Sequence, residues 1–258
     1  MQLTLDTSLA ESYKSSSQRV RVVSENWVKN NLYCPVCGNI RLCKFPNNSK
    51  QADFYCENCS AEYELKSTKN KFSYRIVDGA YSSMIERIQS LNNPNFLFMS
   101  IAENIVNSLC FVPKHVFSPS IIEKRKPLSE NARRAGWVGC NILVSNIPEQ
   151  GKIYIIKNGN IKDRKAVQQK INAINSINIS DIESRGWLMD VLKYVNLIDG
   201  EYFSLSDIYK YEDIFKLLHP DNNNIRAKIR QQLQILRDKG FIVFLGGGKY
   251  RKICNSEN

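Results

Sequence analysis

The sequence predicts an α/β (α+β) core that contains a four-cysteine zinc site, followed by a smaller module of three helices and a β-hairpin. Two CxxC pairs lie early in the chain, helices alternate with apolar strands as far as residue 157, and three amphipathic helices precede a final strand-turn-strand. A chain of 258 residues is long enough for two ordinary domains. We expect the domains to span residues 1–183 and 184–258, with the linker in the Asn- and Ile-rich end of residues 158–184.

The zinc site is predicted by the spacing of four cysteines. Cys34 and Cys37 form one CxxC pair, and Cys56 and Cys59 form the second pair after 18 intervening residues. Two such pairs supply four thiolates, which close a tetrahedron around Zn²⁺ and leave no position for water. The alternative is four buried or disulfide-bonded cysteines, but the paired motif favours a structural zinc ion.

Short aromatic and apolar segments flank the second CxxC pair. Residues Gln51–Tyr55 and Ala61–Ser67 are typical of two strands of a hairpin, with Cys56–Ser60 as its turn. If Tyr55 pairs with Glu62 in this hairpin, the residues two positions further from the turn also face each other. Directly opposed residues have Cβ atoms about 5 Å apart.

The opposed residues are Asp53 and Glu64, and strand alternation places Lys66 on the same face as Glu64. Two carboxylates at this range are suited to Mg²⁺, and an ammonium group can assist the attack of water on a phosphate. The pattern Asp-x10-Glu-x-Lys resembles the signature of PD-(D/E)xK nucleases. The spacing alone is weak, because an acidic-x-Lys triplet also occurs at residues 163–165 and an exposed ion pair would explain Glu64 and Lys66 equally well.

The charge of the chain indicates a polyanionic partner. The formal net charge is +11, and residues 124–134 carry five basic side chains and one acid. Trp137 follows between two glycines, so Arg133, Arg134 and Trp137 are candidates for contacts with phosphates and a base. The alternative is a solvated basic loop with a core tryptophan.

The C-terminal module has the element order of a winged helix. Helices are predicted at Ser184–Ile198, Ser204–Leu218 and Asn223–Lys239, followed by a hairpin. Residues 185–221 hold four basic and seven acidic residues, whereas residues 222–252 hold eight basic residues and one acidic residue. The basic part is the third helix and the hairpin, which contact the major groove and the DNA backbone in this motif. The candidate DNA contacts are Arg226, Lys228, Arg230, Gln231, Gln232, Lys249 and Arg251. A winged helix used for protein contacts is the alternative.

Four segments resemble the methyl-directed restriction endonucleases of the DpnI family, and the similarity runs along essentially the whole chain. They are residues 52–56 (ADFYC), 64–67 (ELKS), 132–137 (ARRAGW) and 229–240 (IRQQLQILRDKG). The resemblance implies an N-terminal PD-(D/E)xK nuclease domain joined to a C-terminal winged helix. It also implies cleavage of double-stranded DNA at GATC sites whose adenine is N6-methylated.

The resemblance carries catalytic roles onto Asp53, Glu64 and Lys66, with Mg²⁺ on the two acids, and zinc ligation onto the four cysteines. An N6-methyl group adds an apolar knob in the major groove, and one buried methyl is worth only about 0.8 kcal/mol. Strong discrimination between methylated and unmethylated DNA therefore requires that the methyl groups be recognised more than once, by each of the two domains. We hypothesise that Trp137 forms the wall of the methyl pocket in the first domain.

A non-catalytic regulator, built from a zinc ribbon and a winged helix, is the competing interpretation, and it has no need of the Asp53, Glu64 and Lys66 cluster. A zinc-dependent deaminase is disfavoured because the two histidines are not placed to complete its ligand motif. Eight cysteines without a signal peptide predict a reducing cytoplasm. We expect a monomer that does not associate with membranes.

Overall fold

The computed structural model describes residues 1–46, 52–69, 74–90, 93–177 and 182–253. In chain order its helices and strands are α1 (Ser16–Asn31), β1 (Cys43–Lys44), β2 (Phe54–Tyr55), β3 (Glu62–Lys69), β4 (Arg75–Ala80), α2 (Tyr81–Gln89), β5 (Asn95–Ala102), β6 (Ile105–Val112), β7 (Ile122–Lys124), β8 (Gly139–Leu143), β9 (Ile153–Lys157), β10 (Asn160–Ile161), α3 (Arg164–Asn175), α4 (Ile182–Leu197), β11 (Tyr202–Ser204), α5 (Leu205–Tyr209), α6 (Glu212–Leu218), α7 (Ile225–Asp238), β12 (Ile242–Gly246) and β13 (Lys249–Lys252).

Within these residues, the central sheet has the strand order β1-β2-β3-β5-β6-β9-β10. β3 and β5 run parallel, and the other neighbouring strands are antiparallel. β5 is buried from Asn95 to Ile101, as expected for an apolar strand in the middle of a covered sheet. A mixed α/β core followed by a module of helices and a small sheet confirms the predicted fold class.

Helix α1 contacts β3, the strand that carries Glu64 and Lys66. It buries Trp27 and Val28, and the Trp27 indole donates a hydrogen bond of 2.8 Å to the Gln2 carbonyl. The packing of α1 therefore supports one side of β3, the strand on which the predicted active site depends.

A second sheet has the order β4-β8-β7. Asp78 of β4 pairs with Cys140 of β8, and Ala80 pairs with Gly139 across a register shift. Asp78 of this second sheet contacts Lys66 of β3, so the second sheet brings a side chain to the face of the first.

The predicted linker is largely folded. Helix α3 extends to Asn175 and buries Val167, Ile171 and Ile174, and it contacts β9. The recurring isoleucines form the apolar stripe of this helix. Composition alone does not distinguish such a helix from a linker. Asn178 lies outside the described residues.

The C-terminal module contains α4 to α7 and a small sheet in the order β11-β13-β12. The predicted second helix is two short helices, α5 and α6, and α5 begins with a capping box between Ser204 and Asp207. Gly246, Gly247 and Gly248 form the hairpin turn with φ of +89°, +55° and +73°, a left-handed run that favours glycine at each position.

Helix α4 also packs on the core, against the turns Lys114–Val116 and Pro119–Ile121. Across this contact the Ser120 hydroxyl donates to the buried Asp190 carboxylate at 2.7 Å, and Asn196 donates to Gln150 at 2.7 Å. Throughout the described ranges, helices long and apolar enough to cross a lipid bilayer are absent.

Candidate active site and metal centre

The four cysteines of the two CxxC pairs meet at one point. Their sulfur atoms all lie within 4.8 Å of one another, with 3.6 Å between Cys34 and Cys59 and 3.6 Å between Cys37 and Cys56. A tetrahedron with Zn–S bonds of about 2.3 Å has S–S edges of about 3.8 Å. The thiolate set and its dimensions therefore fit a Zn²⁺ ion with four protein ligands.

The cysteine cluster fixes the β2–β3 hairpin at its turn. Cys56 N–H donates to Ala61 O at 2.9 Å, and Ser60 adopts a positive φ of 55° to close the turn. The buried Tyr63 of β3 places its hydroxyl 2.9 Å from Cys34 Sγ. The hairpin is thereby joined to both CxxC pairs.

The predicted register of the hairpin is observed, with Tyr55 opposite Glu62 and Phe54 opposite Tyr63. Asp53 lies one residue before β2, and its N–H donates to Tyr63 O at 3.1 Å. The Asp53 carboxylate accepts a 2.8 Å hydrogen bond from Leu65 N–H. The Asp53 side chain is therefore anchored to the peptide unit that follows Glu64.

Glu64 and Lys66 share one face of β3, with 2.7 Å between Glu64 Oε1 and Lys66 Nζ. The other Glu64 oxygen lies 2.5 Å from Arg87 Nη1 on α2. Lys66 Nζ also lies 2.5 Å from Asp78 Oδ1 on β4. Three consecutive elements therefore meet at this face: a strand of the first sheet, a strand of the second sheet and a helix.

The ionisation of these groups follows from burial and from their partners. Burial raises the pKa of Asp53, and the charge of Glu64 adds to the rise although the Leu65 N–H opposes it. Burial also disfavours ionised Glu64, but Lys66 and Arg87 outweigh it and lower the pKa of this carboxyl. Burial of Lys66 would favour the neutral amine, yet Glu64 and Asp78 raise its pKa well above the usual range. Glu64 and Lys66 are therefore held as an ion pair at neutral pH.

Two further residues, Asp78 and Arg87, complete this cluster. In the sequence, Asp78 is typical of a turn residue or helix cap, and its closeness to Glu64 and Lys66 leaves a substrate contact as the alternative. The N-cap of α2 is Ala80, however, and Asp78 lies within β4. Arg87 belongs to no motif, and only the packing of α2 brings it to Glu64. The acidic-x-Lys triplet at residues 163–165 is a helix start, in which Asp163 caps α3 by accepting from Ala166 N–H at 2.9 Å.

The basic loop before β8 lies close to the second sheet. Arg133 and Arg134 are exposed, and the Arg134 guanidinium lies 4.8 Å from the centre of the half-buried Trp137 ring. The Trp137 ring covers Gly139, where an added Cβ would approach the ring to 2.8 Å. Since Gly139 pairs with β4 next to Asp78, Trp137 is anchored to the sheet that reaches Lys66.

The candidate contacts on the winged helix lie mostly on its exposed face. Arg226 and Arg230 are organised by Tyr209: the Arg226 guanidinium lies 5.0 Å from the ring centre, and Arg230 Nη1 donates to the hydroxyl at 2.9 Å. Glu212 also pairs with Arg226, at 2.8 Å. Lys228 is half-buried, and the remaining exposed candidates are Gln231, Lys249 and Arg251.

Gln232 is an exception and corrects the predicted set of contacts. Its side chain is only 1% exposed, because it lies on the face of α7 that buries Ile229, Leu233 and Leu236. A side chain on this face packs inside the module and does not reach a DNA groove in this structure.

Two protein-family models match the chain, one over its N-terminal part and one over its C-terminal module. The DpnI family model, described as the Dam-replacing family, matches residues 1–180. A second model, DpnI_C, described as the Dam-replacing HTH domain, matches residues 183–252. Together the two matches cover nearly the whole chain, and the chain therefore belongs to the DpnI, or Dam-replacing, family.

Proposed function

We propose that this protein is a Mg²⁺-dependent endonuclease that cleaves double-stranded DNA at GATC sites carrying N6-methyladenine. Family membership indicates a methyl-directed restriction endonuclease acting on DNA. The observation that carries the proposal is the cluster of Asp53, Glu64 and Lys66 on a hairpin held by four cysteines. A DNA-binding regulator has no need to bury such a cluster.

Asp53 and Glu64 are the side chains that would hold Mg²⁺, which prefers oxygen ligands and retains several waters. Their environment fits a cation, because burial raises the pKa of Asp53 and, within the part of the chain that the structure describes, its carboxylate has no cationic partner as close as those of Glu64. When bound there, Mg²⁺ supplies charge neutralisation at a phosphate and a bound water of lowered pKa.

Lys66 would act as a fixed ammonium group. Held between Glu64 and Asp78, it can donate hydrogen bonds to the attacking water or to a phosphate oxygen. In the hydrolysis, the water oxygen forms a new bond to phosphorus and gives up a proton to solvent water, while one bridging P–O bond breaks and the departing oxygen takes up a proton from solvent water. Asp53 and Glu64 would stay ionised throughout, because their task is to hold the cation.

Reading of the methyl group would be divided between the two parts of the chain. In this proposal, residues 1–183 cleave the DNA and read a methyl group at Trp137, and residues 184–258 read the site again through α7 and the β12–β13 hairpin. Half-buried Trp137 beside exposed Arg133 and Arg134 supports the first reading, since a flat apolar wall adjoins two phosphate ligands. The exposed basic side chains of α7 support the reading by the second part of the chain.

The decisive experiment is cleavage of one plasmid, prepared with and without adenine methylation, in the presence of Mg²⁺. We expect the wild-type protein to cut the methylated plasmid selectively and Lys66→Ala to lose at least a hundredfold in rate. Lys165→Ala is the matched control, because Lys165 belongs to the exposed acidic-x-Lys triplet at the start of α3. Binding of both plasmids without any cutting would instead favour the non-catalytic regulator.

A further inference from the structure

Asp78 approaches the candidate active site from the second sheet. Its Oδ1 atom lies 2.5 Å from Lys66 Nζ and accepts a 2.7 Å hydrogen bond from Gly79 N–H. The backbone of Asp78 is fixed by pairing with Cys140 in β8. The carboxylate is therefore held in place independently of the hairpin that carries Glu64 and Lys66.

The surroundings of Asp78 make Lys66 its principal partner. The Asp78 side chain is 8% exposed, and its Oδ2 atom is buried without a hydrogen-bond partner among the residues that the structure describes. A buried carboxylate with one unpaired oxygen depends strongly on the cation that contacts the other oxygen. The position of each of these two side chains, Asp78 and Lys66, therefore depends strongly on the other.

Glu64 has competing tasks in the proposed reaction. One of its oxygens contacts Lys66 and the other contacts Arg87, so both are already engaged by cations. A divalent cation held by Glu64 must displace or repel at least one of these groups. A lysine side chain has several rotatable bonds, and without a second anion its ammonium would leave the site or compete with the divalent cation for Glu64.

We propose that Asp78 is a positioning residue that keeps the Lys66 ammonium in the active site while Glu64 binds the divalent cation. The inference rests on the proposed function, because it assigns a role within the same reaction. Asp78 acts through Lys66 and requires no contact with the cation or the DNA. It explains why a strand of the second sheet contributes a buried acid at this point.

The first test measures Ca²⁺ binding to the full-length, zinc-loaded protein by calorimetry, without DNA or turnover. Asp78→Asn is expected to weaken binding about three- to tenfold, because Lys66 then relies on Glu64 alone. In a Lys66→Met background the same substitution should change the affinity less than twofold. An equal loss in both backgrounds would overturn the proposal, since Asp78 would then act on the cation directly.

The second test separates binding of DNA from the chemical step. Asp78→Asn is expected to slow single-turnover cleavage at saturating Mg²⁺ at least tenfold, with the Kd for methylated DNA in Ca²⁺ within twofold of wild type. Asp78→Glu, which keeps the charge but moves the carboxylate, should restore Ca²⁺ affinity without restoring the rate. Unchanged cleavage in both variants would exclude a positioning role. The control is Glu149→Gln, which removes a 72% exposed acid that pairs with Lys152 away from this site.

The two proposals fail in different ways. A wild-type protein that neither binds Ca²⁺ at this site nor cleaves methylated DNA overturns the proposed function and this inference with it. A wild-type protein that does both, but shows no dependence of the Asp78 effect on Lys66, overturns only the role of Asp78. The melting temperature of each variant, compared with that of Glu149→Gln, identifies losses that arise from misfolding.

Discussion

At the scale of single residues, Trp137 is the side chain that we expect to read the methyl group in the first domain. Its ring is supported by Gly139 on one side and contacted by Arg134, so its orientation is fixed before DNA arrives. Trp137→Ala should remove the apolar wall, and burial of one methyl at about 0.8 kcal/mol corresponds to roughly a fourfold preference. The ratio of cleavage rates on methylated and unmethylated plasmid should therefore fall by about fourfold or more.

The matched control for Trp137 is Tyr202→Ala, which removes an aromatic side chain that is 61% exposed on β11. It should leave the ratio of the two cleavage rates unchanged. A Trp137→Ala protein with the wild-type ratio would remove Trp137 from the methyl reader.

At the same scale, the buried His115 predicts that the stability of the fold depends on pH. Burial lowers its pKa to about 4, although the Ile174 carbonyl at 3.0 Å favours the protonated form. Between pH 6.5 and 4 the unfolded chain therefore binds a proton that the folded chain does not, and stability falls as the pH falls. From pH 7 to pH 5 this loss amounts to about 2 kcal/mol.

Urea unfolding of the wild type and of His115→Gln at both pH values would measure this contribution. The glutamine amide can donate to the same carbonyl but does not titrate, so the variant should lose about 2 kcal/mol less on acidification. Protonation of the zinc ligands affects both proteins alike. Identical pH dependence in the two proteins would mean that the pKa of His115 is the same in the folded and the unfolded chain.

At the scale of elements, the β2–β3 hairpin is the structure that zinc must maintain. β2 has two residues, and a hairpin this short has little stability of its own in water. Treatment with a zinc-selective chelator, followed by addition of Mg²⁺, should abolish cleavage because Asp53 would no longer be held against Glu64. Cys56→Ser should lose zinc, measured by atomic absorption, and should melt at a lower temperature.

Cys43→Ser is the control for the zinc prediction. Cys43 lies in β1, opposite Tyr55, but outside the four-sulfur cluster. It should therefore retain zinc and activity. Full cleavage by a zinc-free protein would show that the hairpin is held by its packing alone.

The hairpin was predictable because its information is local. A CxxC turn sets the register, and strand alternation then places Glu64 and Lys66 on one face. Asp78 and Arg87 were not predictable, because a contact between two sheets or between a helix and a strand leaves no periodic signal in the sequence.

Gln232 was misassigned for a different reason. It lies three residues after Ile229 and four before Leu236, so the helical period already placed it on the buried stripe of α7. Its residue type suits adenine recognition, but its position on the helix buries it. The two-part organisation of the chain, by contrast, followed from element order and charge polarity, although the boundary after residue 183 stays a prediction.

At the scale of the whole molecule, the charge asymmetry should determine how salt affects DNA binding. Most basic residues of the C-terminal module lie in residues 222–252, and its acidic residues lie mainly in residues 185–221. Each phosphate contact releases condensed counterions, so the affinity for DNA falls as salt rises. Arg230 is exposed and is held by Tyr209 on the face of α7 that we expect to meet DNA.

Arg230→Ala should therefore separate two kinds of contact when the full-length protein is titrated with methylated DNA in Ca²⁺ at several salt concentrations. If Arg230 contacts a phosphate, the slope of log affinity against log salt should decrease by about one, and methylated and unmethylated sites should weaken alike. If it reads a base edge, discrimination between GATC and altered sites should fall by about 1–3 kcal/mol. Lys210→Ala is the matched control, because Lys210 is 72% exposed in the acidic half and pairs with Asp207. Equal slopes together with unchanged discrimination for wild type and both variants would place the DNA on another face of the module and leave the basic loop around Arg133 as the main source of affinity.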